Sequence, residues 1–218
     1  MKTVILQKQP FRLTDSVWLE RGRVHEVLGF AAESLALSVA GAQSGLIVWI
    51  GEGKDIYSLS PSALKAFIDP TRVLLVEGTN RKERLWSAEQ VLRSKGASVV
   101  IVQLSTGPDL TESRRLQLAC EQGGGIGFVL ISKRAQSSAA QTRWQCEPLA
   151  SNDNQRGFET HTPKWTWRLL KNRAGKLGTW SVSWRGKEQE HEREHTCGHK
   201  EKADGTTYPV HMAATPAT

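Results

Sequence analysis

Between residues 23 and 132 the chain alternates short, near-continuous apolar runs with segments of helical period. The runs RVHEVLG (23–29), LIVWIGE (46–52), RVLLVEG (72–78), SVVIVQL (98–104) and GIGFVLIS (125–132) read as strands too apolar to keep one face in water. Between them AAESLALSVAGAQ (31–43), SPSALKAFI (60–68), RKERLWSAEQVLRSKG (81–96) and LTESRRLQLACEQ (110–122) read as helices. Ser60 suits an N-cap with Pro61 at the first helical position, Thr111 suits a second N-cap, and Gly96 suits a C-terminal stop. Leu85, Trp86, Ala88, Val91 and Leu92 form one helical stripe expected to be buried. This β-α repetition predicts a mostly parallel sheet with helices on both faces and right-handed crossovers.

After residue 132 the period changes to two. TRWQCEPL (142–149), KWTWRLLKN (164–172) and TWSVSWRG (179–186) are joined by polar or Gly-containing stretches and predict an antiparallel C-terminal extension of the same sheet. Trp165, Trp167 and Leu169 share one face, as do Trp180, Val182 and Trp184 on the partner strand, so their indoles are expected to be packed rather than displayed. Residues 151–162 read as an exposed loop. From Lys187 onward the sequence turns charged, then small and polar, which predicts a disordered tail. The expected organisation is an N-terminal segment (1–22), a core domain (23–187) and a tail (188–218).

A chain of 218 residues with 39% hydrophobic residues suffices for one buried core. No stretch approaches the roughly 18 apolar residues of a membrane span, and the N-terminus lacks a signal-peptide pattern, so no membrane association and a cytoplasmic location are expected. Cys120, Cys146 and Cys197 are odd in number and irregular in spacing, which favours reduced thiols. His191, His195, Cys197 and His199 have ligand chemistry, but their spacing matches no standard finger and no apolar residues surround them, so no metal is expected. Residues 164–187 hold seven basic and no acidic side chains, which equals the net charge of the whole chain, +7. The sequence therefore has one basic face candidate rather than a diffuse polycation.

The run from GRVHEVLGF through LIVWIGEGKDIYSLSPSALKAFIDPTRVLLVEGTNRKERLWSAEQVLRSKGASVVIVQL resembles the core of RecA-type recombinases, and LLKNRAG resembles the hairpin that closes it. RVHEVLG, RLQLA after an LT helix start, and TRWQCEPL followed by WTWRLLKNRAG resemble the ImuA family, RecA-like proteins of the bacterial damage-induced mutagenesis cassette. The resemblance covers residues 20–186. It implies a RecA-like core, a non-catalytic accessory role in translesion synthesis, and three protein partners. These are a Y-family-like ImuB-type subunit, an error-prone replicative-type DNA polymerase and RecA, with single-stranded DNA as a further candidate. The stretch ASVVIVQLSTGPDLTESRRLQLACEQGGGIGFVLI also resembles the core of SulA-like cell-division inhibitors, which would bind the tubulin-like division protein. An active RecA-like ATPase is the third reading.

VLGFAAESLALSVA (27–40) reads as the strand, tight turn and helix that open an ATPase. A working phosphate loop needs a glycine-rich turn, a lysine for the β/γ-phosphates and a Ser/Thr for Mg²⁺. Only Gly29 remains of the glycine pattern, Glu33 sets negative charge beside it, and Leu35 and Ala36 stand near the expected Lys-Ser/Thr pair after Ser34. Gln103 and Leu104 end the strand where the resemblance implies an aspartate, whereas Glu52 matches the water-activating glutamate of the RecA family. Gly29, Glu33 and Ser34 thus mark a degenerate phosphate turn, and no nucleotide, cofactor or catalytic residue is expected. SKRAQSSAAQ (132–141) falls where recombinases carry a DNA-binding loop, which makes Lys133 and Arg134 candidates for nucleic acid or a partner. Lys171, Arg173 and Lys176, in KNRAGK, read as an exposed basic turn with the same two uses.

Overall fold

The computed structural model describes residues 11–12, 18–133, 137–149, 163–184 and 210–214. Strands β1 (Phe11–Arg12) and β2 (Trp18–Leu19) pair antiparallel as a small ladder of their own. The parallel core follows as β3 (Arg23–Leu28), α1 (Ala32–Gly41), β4 (Leu46–Gly51), α2 (Gly53–Tyr57), α3 (Pro61–Lys65), β5 (Val73–Glu77), α4 (Arg81–Arg93), β6 (Ala97–Thr106), α5 (Leu110–Gly123) and β7 (Ile126–Lys133). Then come β8 (Thr142–Pro148), β9 (Lys164–Asn172), β10 (Gly178–Trp184) and β11 (Val210–Ala214). Among the described residues the main sheet has nine strands in the order β11-β10-β9-β8-β3-β7-β6-β4-β5.

The apolar alternation explains two cores, one on each face of the sheet. Val27, Ile47, Trp49, Ile101 and Phe128 turn toward α1 and α3, while Val24, Val48, Ile50, Val100 and Val129 turn toward α4 and α5. The expected α/β class, a mostly parallel sheet between helices with an antiparallel C-terminal end, is what the chain forms. The antiparallel part begins one strand later than expected, because β8 runs parallel to β3 and only β9 and β10 reverse. Ahead of β8, residues 137–141 form a strap without a helix. Ser138, Ala139 and Ala140 are buried in that strap, and the Ala139 N–H donates to Ser113 Oγ at 2.8 Å.

Several local expectations shift. Helix α5 is capped by Asp109 rather than Thr111, in a reciprocal capping box with Glu112. Ser60 occupies the N-cap of α3 without a side-chain bond, although Pro61 does begin the helix. The left-handed residue that ends α4 is Lys95 (φ 61°), one position before Gly96. Trp86 leaves the expected stripe and is exposed, because Arg84 and Glu89 take buried positions on that helix. Leu74 and Leu75 are also exposed, since β5 is an edge strand paired only with β4. Within the segment expected to be disordered, residues 210–214 pair antiparallel with β10, Trp184 opposite Val210 through Trp180 opposite Ala214. The 151–162 loop and the His/Cys cluster at 191–199 lie outside the described residues. No helix among the described residues is long and apolar enough to cross a membrane, and none of them group as three or more metal-ligating side chains.

Strand β3 carries two buried polar side chains in an otherwise apolar setting. Glu26 Oε2 accepts from Arg143 Nε at 2.6 Å, and Ser138 Oγ donates to Glu26 Oε1, which ties β3, β8 and the strap together. His25, fully buried, accepts at Nδ1 from Thr142 Oγ1 (2.8 Å), whose oxygen accepts in turn from Trp144 Nε1 (2.8 Å). Burial lowers the His25 pKa from 6.5 to about 4. Unfolding restores the ordinary value, so the unfolded chain binds an extra proton between the two pKa values and stability falls as pH drops through that window. The full shift corresponds to on the order of 3 kcal/mol. Urea midpoints measured between about pH 7 and pH 4 should therefore fall with acid, and His25→Gln should flatten that slope; an equal slope in the variant would assign the loss to other groups.

Candidate functional site

The turn after β3 lies at the carboxyl ends of the parallel strands, where open α/β sheets bind ligands. Gly29 has φ +99°, and a Cβ there would stand 2.2 Å from the Cys146 carbonyl oxygen of β8. That carbonyl accepts the Ala31 N–H at 3.0 Å, in place of a side-chain cap on α1. The Phe30 N–H points to Glu147 Oε2 (3.4 Å), the Ala32 N–H bonds Gly29 O (3.1 Å), and the Ser34 N–H bonds Ala31 O (3.0 Å). The N–H groups of Phe30, Ala31, Ala32 and Ser34, which would face a phosphate at such a turn, are thus already directed to partners inside the chain. Ser34 turns away from the turn altogether: it is buried, donates to Ala31 O (2.7 Å) and accepts from Trp167 Nε1 (2.9 Å).

A cavity of about 240 Å³ opens beside this turn, lined in part by Gly29, Glu33, Glu52, Arg84 and Gln103. Gln103 holds the end of β6, accepting from Trp49 Nε1 at 2.8 Å and donating to Glu33 Oε1 at 3.4 Å. Partial desolvation, and then Asp55, raise the Glu33 carboxyl above its ordinary pKa. Glu52 contacts Lys54 Nζ at 3.0 Å and Arg84 Nη1 at 3.6 Å. The hydrogen bond from Lys54 leads in holding the Glu52 pKa down, which suits an ion-paired carboxylate better than a general base. Arg84 is buried and also reaches Gly78 O at 3.4 Å. The site therefore sets Glu33, Glu52 and Asp55 against two cations, Lys54 and Arg84, both engaged by Glu52, and Phe30 projects from its rim almost fully exposed, at 93%.

The basic candidates lie elsewhere and apart. Lys133 is exposed at the end of β7, near the end of the sheet that holds Gly29, with its carbonyl accepting from Gly107 N–H (2.8 Å); Arg134 lies outside the described residues. The turn between β9 and β10 sits at the opposite end, because Asn172 pairs with Thr142 at the start of β8. Arg173 and Lys176 are exposed there as expected. Lys171 is not on that turn: it is half-buried on β9, donates to Ser138 O at 2.7 Å, and burial lowers its pKa. All the described indoles of β9 and β10 pack toward the core, Trp184 Nε1 donating to Ala66 O (3.1 Å) and its ring lying 4.4 Å from that of Phe67. Sequence reasoning missed Glu26, Arg143 and Glu147, for which period-two placement beside a tryptophan strand was the one available signal.

Sheet order and flanking helices define an α/β protein with a mostly parallel core and an antiparallel C-terminal end. No family model matches the chain. The chain is similar to Protein ImuA of Caulobacter vibrioides strain NA1000 / CB15N, 29% identical over 185 residues that cover 74% of this chain and 75% of that protein. Protein ImuA of Caulobacter vibrioides strain ATCC 19089 / CIP 103742 / CB 15 matches to the same extent.

Two outcomes test this geometry. Gly29→Ala should destabilise the fold by about 1–3 kcal/mol or more, since the left-handed φ and the Cys146 carbonyl both oppose a Cβ. An unchanged melting temperature would show that the turn relaxes freely. Calorimetry with millimolar Mg-ATP or Mg-ADP should register no binding, and a micromolar dissociation constant would show that the paired donors open for phosphate.

Proposed function

We propose that this ImuA-like chain acts in DNA-damage-induced mutagenesis as a non-catalytic adaptor, joining protein partners during translesion synthesis. The observation that carries the non-catalytic part is the closed turn at Gly29, whose donors are spent on Cys146, Glu147 and the turn itself. No lysine follows it, and the neighbouring Glu33 and Glu147 would repel a triphosphate. The similarity to ImuA supports the mutagenic setting. The partners in this reading are a Y-family-like ImuB-type subunit, an error-prone replicative-type polymerase and RecA. Exposed Phe30 at the rim of the cavity supports a protein contact there, because exposed aromatic side chains favour interfaces.

The test is genetic and biochemical together. In a strain lacking the gene, the wild-type chain should restore damage-induced mutation frequency, and Glu52→Gln should restore it equally. Phe30→Ala, a surface change that spares the fold, should lower mutation frequency and weaken co-purification with the Y-family-like subunit. Magnesium-dependent ATP turnover, or loss of function in Glu52→Gln with an unchanged melting curve, would overturn the non-catalytic reading. Filamentous growth on overexpression without any mutagenic effect would favour a division inhibitor instead.

A further inference from the structure

Helices α4 and α5 lie side by side on the face of the sheet away from α1 and α3. Between them runs a groove of about 280 Å³ whose apolar lining comes from Leu85 and Trp86 of α4 and Leu116 of α5. Leu116 is buried and Leu85 half-buried, whereas Trp86 is 60% exposed. Leu118, three residues past the groove-lining Arg115 on α5, is exposed on the same side of its helix. An indole offers one of the largest apolar gains that a single side chain can make on burial. Within the described residues nothing covers this one.

Every carboxylate of the two helices is already engaged. Glu112 accepts from Arg81 Nη2 at 2.6 Å and closes the capping box with Asp109. Glu89 holds both Arg93 (2.7 Å) and Arg115 (2.6 Å). Glu83 accepts from Thr79 N–H and Asn80 Nδ2, and Glu121 meets Arg23. Lys82, by contrast, is exposed and makes no ion pair among the described residues, and Arg115 stays 61% exposed while sharing its one carboxylate with Arg93. The groove thus sets one unanswered cation a helical turn from an open indole, with a half-answered one on the facing helix. An apolar cleft with a cationic rim is complementary to a bulky apolar side chain carried beside a carboxylate. A nucleic-acid backbone fits less well, because it brings a charge at every step and no apolar group to cover Trp86. A second copy docked by the same face would bring surplus cations against surplus cations.

We infer that the α4–α5 groove docks a segment of a protein partner in which a bulky apolar residue is flanked by Asp or Glu. The apolar side chain enters beside Trp86, and the carboxylate meets Lys82 or Arg115. A cavity of this size lies at the lower end of ligand-sized pockets, which suits a few anchoring side chains rather than a whole cofactor. The surface is separate from the Phe30 rim, since none of its residues named here lines the Gly29 cavity. It gives the adaptor reading a second contact and rests on that reading for its biological setting, whereas its test reads the groove alone.

The experiment is selection of random peptides displayed on phage against the immobilised full chain, with counter-selection on Trp86→Ala, followed by fluorescence anisotropy of the enriched peptides. Enriched sequences should carry Phe, Trp or Leu within one helical turn of Asp or Glu. Trp86→Ala should weaken their binding about thirtyfold or more, the loss expected at the centre of an interface. Lys82→Glu should weaken it several-fold and should gain affinity for a peptide whose Asp and Glu are replaced by Lys, while Lys65→Glu on α3 should change nothing. Both groove positions are exposed, so melting curves should match wild type. The inference fails if no enriched sequence depends on Trp86, if the enriched sequences lack acidic residues, or if they match a stretch of this chain, which would make the groove an internal contact. It also fails if labelled oligothymidylate binds wild type and loses affinity in Trp86→Ala, which would assign the groove to nucleic acid. A lower sedimentation mass for Trp86→Ala than for wild type would assign it to a second copy and overturn the inference too. If acidic peptides bind as expected while the chain fails to restore mutagenesis, the groove assignment stands and the adaptor reading falls; restored mutagenesis with no Trp86-dependent peptide separates them the other way.

Discussion

The contact between the Cys146 carbonyl and the turn at Gly29 is the constraint on which the rest of the molecule depends. One hydrogen bond, Ala31 N–H to Cys146 O, caps α1 from outside the helix and holds β8 against the end of β3. Only glycine permits the approach, because any Cβ would fall inside that carbonyl oxygen. A helix start of this kind normally leaves free N–H groups that attract an anion. Here the backbone of a neighbouring strand takes their place, so the element that reads as a phosphate site serves as a joint between the parallel core and its antiparallel end.

That joint explains why β8 runs parallel. For its carbonyl to meet the turn at the carboxyl end of β3, the strand must begin at the other end of the sheet, and the chain must return there from the end of β7. The strap of residues 137–141 is buried at 138–140, and its polar groups there are answered by Glu26, Ser113 and Lys171. A buried ion pair of this sort adds less to net stability than its short distance suggests, yet losing one partner leaves an uncompensated charge at a cost of about 3–5 kcal/mol. Its effect is to specify where the strap lies, and with it the register of β8 on β3.

Periodicity made most of this architecture legible. Continuous apolar runs marked the five parallel strands, and the alternation of Trp165, Trp167, Trp180 and Trp184 with polar residues correctly set the indoles on a buried face. What stayed hidden depends on neighbours that are remote in sequence. Nothing local in TRWQCEPL distinguishes a parallel strand from an antiparallel one, since direction is decided by the route of the strap. Leu74 and Leu75 read as core because the sequence does not mark an edge, and Trp86 read as core because Arg84 and Glu89 were not expected to compete for the buried side of α4. Asp109 outcompeted Thr111 through its reciprocal bonds with Glu112, a three-residue spacing that was present in the sequence and passed over. At the candidate site, the absent lysine and the intrusive Glu33 were visible from the start. The decisive groups, Cys146 O and Glu147, arrive from more than a hundred positions away and carry no local signature.

The same joint also divides the surface by charge. The Gly29 end of the sheet gathers Glu33, Glu52, Asp55 and Glu147 around one cavity and one strand end, with Lys54 and Arg84 paired to Glu52 and exposed Phe30 beside them. Among the described residues the antiparallel end carries Lys164, Arg168, Lys171, Arg173 and Lys176 on β9 and its turn, while its indoles pack toward the core. Closing the phosphate turn with a strand carbonyl requires β8, and β8 is the strand on which β9 and β10 then build the basic face. A turn closed by a strand carbonyl at one end and a run of basic side chains on β9 and its turn at the other are thus consequences of one placement. With β8 in this position the Cys146 carbonyl takes the space beside Gly29 that even a Cβ would need.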